Sequence, residues 1–164
     1  MALNKLKFNS LNVTPTAGKT VGFNSDADGL EATLSGGAMT FIKKLTASSD
    51  STLSFVNGAS DVVLDTTYKE YLFIFQNIHA SNDAALFSVG FRDGGSDYDA
   101  PKTSTYFYSS HKEDDSQTVL AYEGSYDQAQ STSFHSLANV GNANDENLSG
   151  YIHLFDPSNT TFVK

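Results

Sequence analysis

Cysteine is absent from the 164 residues, so neither a disulfide nor a thiolate zinc site can support the fold, and stability has to come from packing or association. Long apolar runs are absent as well. Nothing approaches the roughly 20 apolar residues that span a bilayer as a helix, and the opening "MALNKLKFNSLNV" has no apolar central region of a signal peptide. Synthesis in the cytoplasm without membrane insertion is expected. Basic charge is scarce: ten Lys and Arg face nineteen Asp and Glu, for a net charge of −9. The scarcity is uneven, since residues 1–44 carry five lysines against Asp26, Asp28 and Glu31 while the remainder stands at −11. An acidic body argues against a nucleic acid partner, because attraction to phosphates supplies most non-specific affinity. The mildly basic N-terminal part suits solvation, or docking on an acidic partner.

Catalytic signatures are missing too. There is no Gly-x-Ser-x-Gly elbow, phosphate-binding loop, dinucleotide fingerprint, His-x-His pair or His-Glu-x-x-His helix. "DGGSDYD" (93–99) follows a strand-like run but is acidic where a phosphate cradle needs free amides and positive charge. No window reads as a convincing helix; the best, Asp127–Gln130, amounts to one turn before β-branched and hydroxyl residues intervene.

What the sequence does hold is strand-forming material. Twelve Phe and eight Tyr stand in a chain otherwise rich in Ser, Thr, Asn and Asp, a balance that fits a thin all-β protein better than a helical bundle. Strand candidates are "AMTFIKKL" (38–45), "STLSF" (51–55), "DVVLD" (61–65), "YKEYLFIFQNI" (68–78), "AALFSVGF" (84–91), "TSTYFYSS" (103–110), "STSFHSL" (131–137) and "SGYIHLF" (149–155). Turn formers such as "NGAS", "ASND" and "DPSN" separate them. Strands recurring every ten to twenty residues indicate an all-β, antiparallel β-sandwich or jelly roll. Its length suits one domain. Residues 1–37 read as an extended N-terminal attachment arm or a few short strands ending at Gly36-Gly37, and residues 38–164 as the sandwich.

Within "YKEYLFIFQNI", residues Tyr71 to Phe75 are all apolar or aromatic. Side chains alternate faces along a strand, so both faces of this one are apolar and the second needs a cover. The arm, a second copy or another protein would each supply one.

Several polar clusters have the components of chemistry. "NSDADGLE" sets Asn24, Asp26 and Asp28 at alternate positions before Gly29, like half of a calcium-binding EF-hand loop, but the twelfth position is Ser35 rather than an acid and flanking helices are absent. "HKEDDS" places His111 beside Glu113, Asp114 and Asp115, and "NANDEN" adds Asp145 and Glu146. A hydrolase would use His111 with Asp114 or Glu113, yet such clusters in polar loops are ordinarily solvated. His79 and His135 are scattered, and His153 shares a strand face with Tyr151 and Phe155. Tyr106 and Tyr108 would lie on one face of a strand, where they would suit either packing or stacking on a sugar ring. No catalytic, cofactor-binding or metal-ligating residue is assigned, and no cofactor is expected.

Three stretches, "GGAMTFIKKLTASSDSTLSFVNGASDVVLD" (36–65), "YKEYLFIFQNIHASNDAALF" (68–87) and "YDQAQSTSFHSLANVGNANDENLSGYIHLFDPSNTTFVK" (126–164), resemble β-rich virion structural proteins of marine bacteriophages, often tail or tail-fibre components. The resemblance implies a virion location and a non-enzymatic role in assembly and host attachment. Expected partners are copies of the chain itself, as a homotrimer, and other virion proteins, with a host surface glycan as a further candidate. A capsid decoration or cement protein and a carbohydrate-binding module are the alternatives. Similar proteins continue with further strands after a segment like that ending at Lys164, so the sandwich is expected to lack C-terminal strands seen in relatives.

Overall fold

The computed structural model describes residues 19–24, 26, 28–34 and 39–159. Over these the chain is all-β and antiparallel. Ten strands run in the order β1 (Lys19–Phe23), β2 (Leu30–Leu34), β3 (Glu70–Ile78), β4 (Ala85–Val89), β5 (Lys102–Ser104), β6 (Phe107–His111), β7 (Thr118–Tyr122), β8 (Gln128–Ser131), β9 (His135–Val140) and β10 (Leu148–Phe155). They pair as five two-stranded ribbons: β1 with β2, β3 with β10, β4 with β9, β5 with β8, and β6 with β7. The last four pairs are nested. The innermost hairpin β6–β7 lies inside β5–β8, which lies inside β4–β9, which lies inside β3–β10.

Local chemistry explains several of these elements. β1 and β2 are joined by a turn built on Asn24, whose Oδ1 accepts from the amides of Asp28 (3.1 Å) and Gly29 (3.2 Å) while its Nδ2 donates to Asp28 Oδ1. An Asx side chain standing in for backbone is what fixes such a turn. This hairpin falls within the predicted arm, whose first eighteen residues lie outside the described set. In the β3–β10 ribbon the register shifts between Leu148 and Gly150. Asn77 takes φ 53° there and donates its amide to Ser149 Oγ. A bulge of this kind needs a residue that tolerates the left-handed region, and Asn is one.

The inner face of the β3–β10 ribbon forms the centre of the molecule. Tyr71 is 4% exposed, and its hydroxyl donates to the carbonyl of Asp65 at 2.9 Å. Its ring meets Tyr68 edge-on, Phe73 meets Phe55 at 5.4 Å, and Phe75 meets Phe87 of β4 at 5.0 Å, so the next ribbon is docked through an aromatic pair. Further along, Ser104 Oγ on β5 lies 3.1 Å from His135 Nδ1 on β9, and Tyr106 Oη donates to the carbonyl of Leu137. A two-stranded ribbon is marginal in water by itself, so these cross-ribbon contacts are what tie the nested ribbons to one another.

Three sequence expectations are corrected. "AMTFIKKL", "STLSF" and "DVVLD" form no ladder among the described residues. Residues 56–64 instead make a compact turn in which Gly58 donates to Val62, Leu64 donates to Asn57 Oδ1, and Ser60 and Asp61 take positive φ, which puts Val62 into the core at 4% exposure. Asp127–Gln130 is not helical. A 3-10 turn occupies Gly124–Tyr126, closed by Glu123 accepting from the Ser125 amide, and Gln128 already begins β8. "TSTYFYSS" is two strands, β5 and β6, broken at Thr105 and Tyr106. The strand-like end of the sequence, 160–164, lies outside the described residues.

The chain leaves much of itself uncovered. Its accessible surface is 13027 Å², whereas a folded monomer of 17.7 kDa exposes about 7,900 Å². Granting the 29 residues outside the described set the area of a fully extended chain, about 4,500 Å² on the same scaling, still leaves the rest about 1,600 Å² above expectation.

Candidate functional site

Opposite residues of an antiparallel ribbon share a face. The pairs Glu70 with Phe155, Leu72 with His153, and Ile74 with Tyr151 therefore lie together on the side of β3–β10 away from Tyr71, Phe73 and Phe75. This outer face is open: Ile74 is 61% exposed, Tyr151 68% and Phe155 60%. Along β10 the His153 ring stands edge-on to Tyr151 (5.3 Å) and stacked on Phe155 (5.9 Å, 12°), and its Nδ1 is hydrogen-bonded to the carboxylate of Glu70. The shared face of His153, Tyr151 and Phe155 expected from the sequence is found. The second face of "YLFIF" is apolar and meets solvent.

A second open face belongs to β6–β7. Phe107 pairs with Tyr122 and Ser109 with Leu120, which gathers Phe107 (71% exposed), Leu120 (82%) and Tyr122 on one side. The other side, with Tyr108, Val119 and Ala121, is the better covered one. The β7 stretch "TVLAY" lies outside the strand candidates of the sequence. Its signal was there, a short run of β-branched, aliphatic and aromatic residues between the turn formers "EDDS" and "EG".

The polar clusters resolve into turns. Asn24 Oδ1 is committed to two backbone amides and Asp28 to the Asn24 side chain, Asp26 is exposed, and Ser35 lies outside the described residues. His111 meets Asp115 at 2.9 Å rather than Asp114 or Glu113, and both groups are largely exposed in the β6–β7 turn. Lys112, Glu113 and Asp114 line only a wide, open depression. Asp114 accepts from the Ser116 hydroxyl and amide, which hold its carboxyl below the ordinary value; the Ser125 hydroxyl and amide do the same for Glu123, as do those of Thr67 for Asp65. Tyr122 donates to Asp127, and that bond raises its phenol above the ordinary value. Glu146 closes its own turn by accepting from the Ala143 amide, and His79 Nε2 lies 2.8 Å from the Ala143 carbonyl. In the acidic 93–99 loop the Arg92 guanidinium lies 5.4 Å from the Tyr98 ring centre.

Tyr106 and Tyr108 do not form a flat exposed pair. Tyr106 is half-buried, meets Tyr126 edge-on at 5.2 Å and spends its hydroxyl on Leu137. Among the described residues no charged or polar side chain is buried, no three His, Cys, Asp or Glu groups converge as a metal site, and no helix is long and apolar enough to cross a membrane. The candidate site is therefore the pair of outward apolar ladders. Comparisons with protein-family models, with curated proteins and with solved structures return no match.

Proposed function

We propose that this chain is a non-enzymatic structural subunit of a bacteriophage virion, a tail or tail-fibre component that serves assembly and host attachment, with copies of itself and other virion proteins as partners. The observation that carries this reading is the surface left open. Apolar ladders face outward on two ribbons, and the exposed area exceeds that of a self-sufficient monomer. A protein built this way is completed by its neighbours. A catalyst, by contrast, buries and polarises its reacting groups, and the described residues that titrate away from their ordinary values, Asp65, Asp114, Glu123 and Tyr122, are none of them buried.

The resemblance of residues 36–65, 68–87 and 126–164 to phage virion proteins supplies the context. The nested pairing of β3 to β10 supports a jelly-roll architecture, since an eight-stranded hairpin folded over on itself is how that double sheet is wound. A carbohydrate-binding role loses its clearest platform, because the Tyr106 ring is spent on internal packing.

The test is mass spectrometry of density-gradient-purified particles from a phage lysate that produces this chain. Peptides from 39–159 are expected in fixed ratio to the other particle proteins and retained through a high-salt wash. A chain found only in the particle-free fraction would overturn the proposal.

A further inference from the structure

We propose that the two outward ladders are the two halves of one interface: the β6–β7 face of one copy, bearing Phe107, Leu120 and Tyr122, seats on the β3–β10 face of a second copy, bearing Leu72, Ile74, Tyr151 and Phe155. This rests on the structural-subunit reading and names the surface through which copies join.

Area points to a protein occupant. A standard interface takes about 800 Å² from each partner. The described residues expose about 1,600 Å² beyond a compact chain of their size, which matches what two such contacts would take from each chain. A two-fold pairing of one ladder with itself would fill one and leave the other in water. A head-to-tail contact between unlike patches fills both in every internal copy, and it generates a closed ring or a filament according to the rotation between neighbours.

Shape and charge agree. Both patches are two-stranded ribbons carrying large apolar side chains on one side, which suits face-to-face packing at about 10 Å, as between the layers of a sandwich. Each chain carries −9, so a contact between copies is favoured where no carboxylate has to be buried without a hydrogen-bond partner. On β3–β10 the carboxylate of Glu70 is hydrogen-bonded to His153. On β6–β7, Asp127 beside Tyr122 accepts from the Tyr122 hydroxyl and from the Tyr106 amide. His111, at the far end, is paired with Asp115. Neither ladder presents an unpartnered carboxylate to the other.

The experiment uses the intact chain and two double variants, Ile74→Lys/Tyr151→Lys and Phe107→Lys/Leu120→Lys, measured by light scattering after size exclusion and checked for unchanged far-ultraviolet circular dichroism. The parent chain is expected to assemble, and each variant to lose self-association by about a hundredfold or more. An equimolar mixture of the two variants is expected to form a one-to-one heterodimer, because one intact copy of the interface survives between them. If a lysine variant loses its β signal, Ile74→Thr and Leu120→Thr replace the pairs. A parent chain that stays monomeric at high concentration would overturn the proposal, as would variants that fail to combine or either variant assembling alone. Particle composition tests the virion role separately, so a chain missing from particles yet assembling through these faces would keep the interface and lose the role.

Discussion

Replacing Ile74 by Ala should leave the isolated chain nearly as stable as before, whereas replacing Tyr71, on the opposite face of the same strand, should bring it close to unfolding. Tyr71 is 4% exposed, packed against Tyr68 and hydrogen-bonded to Asp65. Truncating a buried aromatic costs about 3–5 kcal/mol, a large part of the 5–15 kcal/mol typical of a domain. Ile74 keeps 61% of its surface in water. With about 1.5–3 kcal/mol available for full burial of such a side chain, its loss costs at most about 1 kcal/mol. At this size 1 kcal/mol moves Tm by roughly 2–4 °C, so thermal unfolding followed by circular dichroism separates the two variants easily. The scan is run at low concentration and repeated at high concentration, where the Ile74→Ala deficit should widen as association contributes to stability. A loss of about 3 kcal/mol for Ile74→Ala at low concentration would refute the reasoning, because it would mean that the chain covers its own outer face.

Three further outcomes are expected. The raised Tyr122 phenol favours the protonated folded form; that contribution is complete below the ordinary tyrosine value and is lost as pH rises through the folded one. An ultraviolet titration should therefore show one late-ionising tyrosine that disappears in Tyr122→Phe. Asn24→Ala removes an acceptor shared by two amides and should speed hydrogen exchange at Asp28 and Gly29 while costing the hairpin about 1–2 kcal/mol; added calcium should not shift Tm. Gly90→Ala places a Cβ 2.8 Å from the Phe134 ring, and since that ring is half exposed it can yield, for a cost near the low end of about 1–3 kcal/mol by chemical denaturation.

The strands that sequence reading located best, β3, β4 and β10, have apolar side chains with firm assignments to one face. Tyr71, Phe73 and Phe75 alternate with Leu72 and Ile74, and their composition alone marks a strand with two apolar faces. "STLSF" and "DVVLD" have equally good strand composition and form no ladder. Strand propensity measures fit to a neighbouring strand, and no sequence window shows that the neighbour is missing. The shift of β9 from 131–137 to His135–Val140 has the same origin, since its bounds are set by pairing with Ala85–Val89. Of the candidate site, the open face of β3–β10 was legible as a question about cover. The β6–β7 face was not, because its apolar side chains come from two short strands whose pairing, Phe107 with Tyr122 and Ser109 with Leu120, no single window shows.

The nesting of the four ribbons also sets an order of assembly in time. Phe107 and Tyr122, which close the inner hairpin, are near neighbours in the chain, while Glu70 and Phe155 are separated by about half of it. The entropy of closing a loop rises with its length, but each ribbon that forms shortens the effective loop left for the next. Formation should therefore spread outward from the 112–117 turn like a zipper, with the aromatic centre around Tyr71 completed last. Lengthening that turn would slow the first step and all that follow, whereas a change near Phe155 would chiefly hasten unfolding.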